Sequence, residues 1–441
     1  MGKNNRINMY IDYEKSYQRR GRKRTSTFLG VIMVVVLAAF LGVGTYYAVR
    51  IKTGESYPLS KKLLNTENTN RDTIEISKDT LDEPVITPSV SPAGNDDAKQ
   101  TEEVDTREPV RARGIYVTSR AIMDKREELI KMADETEINA MVIDVKDDNG
   151  RITFKMDGTK AREIGADTNT ISDIGDLLKQ LKEKNIYPIA RIVAFKDPYL
   201  AEKNQELAIK NKDGSLYRDN NGECWINPYE KEVWDYLIEV SSKAAEAGFM
   251  EIQFDYIRFS TGKGMSDAYF GPLAEEKTKE DIIIEFTKYA YESLKPLGVF
   301  VSADVYGTII SSSIDAGLVG QNYVEMAKYL DYICPMIYPS HFAEGNYGVE
   351  YPDLEPYKII RKVLTASKSK LDEIPEGEHK AIVRPWLQDF TATWIRNYQV
   401  YGGLQLREQI VGVYGVGYKE WLLWNAACNY SEDGLYKQSN E

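Results

Sequence analysis

Glu251-Ile-Gln-Phe-Asp-Tyr-Ile-Arg-Phe-Ser260 reads as a β-strand. It is rich in aromatic and β-branched residues, and it carries a carboxylate and a guanidinium near its C-terminal end. A second strand, Val299-Phe-Val-Ser-Ala-Asp-Val-Tyr-Gly307, repeats the pattern with Asp304. A strand core has no use for an unpaired ionised carboxylate, because burying one costs several kcal/mol. Charged residues placed late in apolar strands therefore point to a functional rim.

Working outward, strand patterns recur at 114–119, 140–146, 187–195, 251–259, 299–307, 332–339, 382–389 and 418–424. Helical patterns lie between them, near 124–135, 171–184, 229–247, 280–295, 321–330, 353–371 and 402–413. Eight strands with helical crossovers predict an α/β fold, a (β/α)8 TIM barrel over 110–430, with its site at the C-terminal rim of the strands. The nearly continuous apolar strand runs suit a parallel sheet covered on both faces. An open doubly wound sheet is the alternative, but no Gly-rich phosphate loop favours it. Residues 210–227 read as a long insertion after the third strand, which on a barrel overhangs the site.

The N-terminal region has a different character. Residues 28–49, FLGVIMVVVLAAFLGVGTYYAV, contain no charge. At about 1.5 Å per residue they span a hydrocarbon core of about 30 Å. Arg19, Arg20, Arg22, Lys23 and Arg24 precede them. The positive-inside rule predicts a cytoplasmic tail over 1–27, a single-pass cell-membrane anchor over 28–49 and an extracellular remainder. Residues 50–109, rich in Thr, Ser, Asn, Asp, Glu and Pro, read as a disordered linker. Residues 431–441 read as a C-terminal tail.

Charge and composition narrow the function. Residues 1–49 hold eight Lys or Arg and two acids, so +6 of the total −12, which leaves −18 on residues 50–441. Such an acidic domain argues against nucleic acid as a partner. Three cysteines, Cys224, Cys334 and Cys428, make no disulfide framework and read as buried thiols. Only His341 and His379 are available, which leaves no His-rich zinc site. No metal and no cofactor is expected, and a monomeric barrel is.

Strand parity assembles a candidate site. Asp255 shares a face with Gln253, and Asp304 with Ser302 and Tyr306. On neighbouring strands Asp144 aligns with Lys146, Tyr338 with Met336, and Arg384 with Trp386 and Gln388, while Arg191 sits among apolar residues. Arg258 has the wrong parity unless the chain has left strand geometry by then. Glycoside hydrolysis commonly uses two carboxyl groups, one protonating the leaving oxygen and one attacking the anomeric carbon or activating water. Asp255 reads as nucleophile or base and Asp304 as general acid, with the roles open to exchange and Asp144 or Asp147 as substitutes. Lys146, Asp144, Arg191, Arg258, Tyr306, Tyr338 and Gln388 are candidate substrate contacts. Trp386 and Trp424 are candidates to stack on a sugar ring.

The succession RGIYVTS, MVIDVKDDNG, FDYIRF, SADVYG, CPMIYPSHF and RPWLQDF resembles the bacterial "putative glycosyl hydrolase domain" family, over about residues 111–427. That resemblance implies a TIM barrel and a polysaccharide-type substrate, and it carries over Asp255 and Arg258 as motif members. Related barrels usually have Pro after the aromatic residue that ends the motif; here Ser260 stands in its place. The leading expectation is a membrane-anchored glycosidase. A non-catalytic carbohydrate-binding barrel is the second reading. A metal-dependent hydrolase or deacetylase using Asp144, Asp147, Asp255 and Asp304 as oxygen ligands is the third.

Overall fold

The computed structural model describes Asp105 and residues 107–437. The basic tail, the apolar run 28–49 and nearly all of the linker lie outside the described residues. Among the described residues no helix is long and apolar enough to cross a membrane.

Eight parallel staves close into a barrel: β1 (Arg113–Val117), β2 (Ala140–Lys146), β3 (Tyr187–Val193), β4 (Glu251–Asp255), β5 (Phe300–Tyr306), β6 (Tyr332–Met336), a seventh stave in two pieces, and β9 (Trp421–Trp424). The seventh stave consists of β7 (Ile382–Val383) and β8 (Trp386–Gln388). The sequence pattern predicts it as continuous, but Pro385 has no N–H to give to the ladder and breaks it. Closure runs through Met336 beside Trp386, Trp386 beside Leu422, and Gly114 beside Leu422. The outward faces of the staves are covered by helices, so Ile143, Ile192, Phe254, Val301 and Val305 are fully buried.

The principal helices are α1 (Arg126–Glu135), α2 (Ile174–Glu183), α3 (Lys231–Ala247), α4 (Lys279–Leu294), α5 (Tyr323–Ala327), α6 (Pro356–Leu371) and α7 (Gly403–Tyr414). In α3 the apolar positions Val233, Leu237, Val240 and Ala244 recur at helical spacing and are buried. Gly248, at φ 115°, ends it in the left-handed conformation that favours glycine. Thr278 and Asp281 form a capping box that starts α4.

The insertion after β3 folds onto the loop after β4. Lys210–Asn211 pairs antiparallel with Ala268–Tyr269, and the Tyr217 hydroxyl lies 3.0 Å from Ser260 Oγ. Residues at both margins of the predicted barrel also pack on it. Arg107, expected in the linker, pairs with Asp331 at 2.7 Å and donates to the Val299 carbonyl at 2.6 Å. Residues 431–437, expected as a tail, bond to the loop after α1: the Glu137 N–H donates to the Tyr436 carbonyl at 2.9 Å, and Leu435 is buried.

Candidate active site

The lumen is polar on the side where β2, β3, β4 and β5 turn polar residues inward in register. Asp144 lies beside Arg191, Arg191 beside Gln253, and Gln253 beside Ser302. Asp255 is the last residue of β4, and Asp304 lies two residues before the end of β5. Both carboxylates therefore sit near the C-terminal rim.

Arg191 organises the site. Its Nε and Nη2 donate to Asp255 Oδ2 at 3.0 and 2.5 Å. Its Nη1 donates to Asp144 Oδ1 at 2.8 Å, and Nη2 also reaches Asp148 Oδ1 at 2.8 Å. Burial opposes the guanidinium charge, yet Asp255, Asp148 and Asp144 together hold its pKa well above the ordinary range. Asp144 also accepts from the Tyr116 hydroxyl at 2.7 Å. Its pKa is pushed up to about 6 by burial, which Arg191 and Tyr116 only partly offset.

Asp304 sits in the opposite environment. Burial, followed by the nearby negative charge of Asp255, pushes its pKa well above the carboxylate range. The Trp386 indole N–H, which donates to Asp304 Oδ1 at 2.6 Å, and the more distant Arg191 oppose that shift without reversing it. One carboxyl is thus steered toward the neutral acid, while its neighbour is bound to a permanent cation. Such divergent environments are how paired carboxyl groups acquire separate acid and base roles.

The chain is strained immediately after Asp255. Tyr256 has φ 49°, a left-handed conformation that costs a non-glycine residue about 1–2 kcal/mol. Strain of this kind concentrates at functional sites. It also explains Arg258: the strand has ended, so alternation no longer decides where Arg258 points. Its guanidinium lies over the rings of Tyr306 (4.6 Å), Tyr256 (4.9 Å) and Trp225 (5.1 Å), and Nη1 donates to the Phe259 carbonyl at 2.9 Å. Tyr306 faces the lumen as parity predicts. Trp424 stacks on Tyr116, with centroids 4.1 Å apart and planes at 23°, and Arg191 lies 5.8 Å over its ring.

Three predicted contacts are placed differently. Lys146 does not share the Asp144 face. A register shift between Asp144 and Lys146 sets Lys146 beside Ile192, on the outward side, where it is fully buried and paired with Asp197 at 2.9 Å. The Gln388 amide is consumed within the fold: its oxygen accepts from the Ser340 N–H, and its nitrogen donates to Asp353 and to the Phe390 carbonyl. Trp386 is 1% exposed, so its ring offers no surface for stacking on a sugar and its indole nitrogen instead positions Asp304. Tyr338 packs edge-on against His341 and Phe390. His341 is held neutral by burial, its pKa lowered to about 3.

Sequence reasoning passed over Tyr116, Asp148 and a lower charged layer. Alternation could have found two of these: Tyr116 stands two residues after Gly114 in RGIYV, and Glu251 has the parity of Asp255 in β4. Asp148 lies in a loop, where no periodicity could find it. The space between Asp144 and Asp255 is filled by the Arg191 guanidinium, where a bridging cation would have to sit. Among the described residues no group of three His, Cys, Asp or Glu side chains is placed to hold a metal ion.

The closed parallel barrel with its covering helices is a (β/α)8 TIM barrel, and two differently held carboxyl groups lie near its rim. The family described as "Putative glycosyl hydrolase domain" matches residues 114–430, and the chain belongs to it. A search of the curated proteins finds no match. Among solved structures, a hypothetical protein from Ruminiclostridium thermocellum is 41% identical, covering 43% of this chain and 97% of that one, with a TM-score of 0.40. The PgaB (BpsB) glycoside hydrolase domain from Bordetella bronchiseptica is 16% identical and shares the fold, covering 75% of this chain and all of that one, with a TM-score of 0.52. The spore cortex-lytic enzyme SleL of Bacillus megaterium is 12% identical over 74% of each chain, with a TM-score of 0.43.

Proposed function

We propose that this protein is a membrane-anchored glycoside hydrolase that cleaves a cell-wall or other extracellular polysaccharide, with Asp304 as general acid and Asp255 as nucleophile or base. The observation that carries the proposal is the contrast between the two carboxyl groups. Burial and the Asp255 charge keep a proton on Asp304, while two N–H groups of Arg191 hold Asp255. In this reading the Asp304 proton passes to the glycosidic oxygen as the bond to the anomeric carbon breaks. Asp255 either forms a bond to that carbon or takes a proton from the attacking water. The fold shared with the Bordetella glycoside hydrolase domain supports a carbohydrate substrate. The uncharged run 28–49 behind a basic tail supports the anchor, with the barrel outside the cell.

The test is reducing-end release by the detergent-purified full chain from a panel of bacterial and plant polysaccharides, beside Asp255→Asn and Asp304→Asn. Release that vanishes in both folded variants supports the mechanism. Full activity in both would refute it, and binding without release would favour a non-catalytic carbohydrate-binding barrel.

A further inference from the structure

The loop after the seventh stave carries an aromatic residue that neither the core nor the carboxyl pair uses. Trp394 is 38% exposed and stacks on Phe390, with centroids 5.8 Å apart and planes at 20°. Phe390 in turn packs edge-on against Tyr338, 5.8 Å away, at the exit of β6. These residues follow the C-terminal ends of β6 and β8, so they belong to the same rim as Asp255 and Asp304. Phe390 also follows by two residues the end of the stave that supplies Trp386, the hydrogen-bond donor to Asp304.

A single exposed tryptophan needs no explanation by itself. Two further features set this one apart. The first is that its loop is fastened at several points, so the ring is presented by a fixed support. Gln388 Nε2 donates to the Phe390 carbonyl at 3.0 Å and Asn397 Nδ2 to Glu344 Oε1 at 2.6 Å. Gln399 Nε2 and the Tyr401 hydroxyl both donate to the Asp353 carbonyl, at 2.7 and 3.0 Å. The second is a small cleft of about 90 Å³ that begins one residue further along the chain. Glu344, Tyr351, Arg396 and Asn397 are among its lining residues. The flat apolar ring suits the C–H face of a pyranose, and the exposed Glu344 and Arg396 of the adjoining cleft supply charged groups for its polar edge.

We propose that Trp394, stacked on Phe390 and flanked by the Glu344–Tyr351–Arg396–Asn397 cleft, is a sugar-binding subsite for a hexopyranose unit of the polymer, outside the Asp255–Asp304 centre. The inference rests on the glycosidase reading and deepens it: the protein grips a chain of several units, and Trp394 is a specificity residue for chain length.

Binding of β-1,4-linked glucose and N-acetylglucosamine oligomers of two and six units to the full chain in detergent tests this, by titration calorimetry and saturation-transfer NMR. The hexamer of at least one series binds about tenfold more tightly than its dimer. Trp394→Ala removes that gain and leaves dimer affinity unchanged, whereas Trp394→Phe restores most of it, with unfolding midpoints confirming that all three proteins are folded. Equal affinity for dimer and hexamer, an unchanged gain in Trp394→Ala, or no binding of any of these oligomers overturns the subsite. Length-dependent binding without cleavage would keep the subsite and refute the glycosidase reading. Cleavage without length dependence would do the reverse.

Discussion

Arg191 and Asp255 are joined through one carboxylate oxygen: Nε and Nη2 of the guanidinium both donate to Oδ2, while Oδ1 accepts from the Tyr256 N–H at 2.6 Å. The second member of the site is held by a neutral group, the Trp386 indole, and by burial. The different partners supplied by β3 and β8 are what separate the two roles. A pair of carboxyl groups with equivalent surroundings would share a proton and offer neither a dedicated acid nor a dedicated base.

Asp304→Asn and Asp255→Asn each lower kcat about 10²–10⁴-fold on a cleavable polysaccharide, the range for removing a general acid or base. Asp304 is 2% exposed and forms no ion pair among the described residues, so the amide costs little stability there. Asp255→Asn strips Arg191 of one of its three carboxylate partners and lowers the unfolding midpoint as well. Steady-state kinetics alongside thermal unfolding check both, and equal destabilisation by the two variants would contradict the asymmetry.

Trp386→Phe keeps the ring and removes the donor to Asp304. That hydrogen bond favours the ionised carboxylate, so its loss raises the Asp304 pKa further. A general acid works only while protonated, so the alkaline limb of the kcat/KM profile moves to higher pH. Meanwhile kcat falls about tenfold, because the carboxyl loses its orienting contact. An alkaline limb that stays in place would remove Asp304 from the role of acid.

The barrel was legible in the sequence because parallel strands buried on both faces leave long apolar runs, and because helices separate them at regular intervals. The placement of Asp255 and Asp304 near the rim was legible for the same reason, since both stand late in apolar strands. Parity failed where strand geometry failed. The register shift after Asp144 sends Lys146 to Asp197, and the left-handed turn at Tyr256 frees Arg258 from alternation. Trp386 is a stacking candidate as an aromatic and Gln388 a candidate contact by strand parity, but burial gives both to the fold. Burial and hydrogen-bond partners, which alternation along a strand does not carry, are what assign Trp386 and Gln388 to support.

Asp144 makes stability depend on pH in a direction opposite to that of most paired carboxylates. Its folded pKa, about 6, lies above its unfolded value near 3.8. Between those values the native state keeps a proton that the unfolded state releases, so stability declines as pH rises through that window. Below it both states are protonated and the group contributes no slope. Denaturant unfolding from pH 3.5 to 7 should show a steeper decline in the wild type than in Asp144→Asn, where the slope that remains comes from other buried acids with raised pKa values such as Asp304. Parallel curves for the two proteins would mean that Arg191 outweighs burial and keeps Asp144 ionised.

Deeper in the lumen, Arg384 presents a different test, because its partners are far from solvent. Nη1 donates to both oxygens of Glu251 at 2.9 Å, and Nε donates to Glu420 Oε2 at 2.8 Å. The guanidinium stacks on Tyr332 at 3.6 Å, and Ser302 Oγ donates to Glu251 Oε1 at 2.6 Å. Arg384 and Glu251 are both fully buried. Arg384→Met strands Glu251 as an uncompensated charge and costs about 3–5 kcal/mol of stability. Adding Glu251→Gln removes the stranded charge and recovers part of that loss, since the neutral amide can still accept from Ser302. The interaction energy from the double-mutant cycle, read by urea unfolding, should therefore be clearly non-zero. Strictly additive losses would mean that the two residues stabilise the barrel independently, each through its own packing, and that the charge pairing in the lumen contributes nothing net.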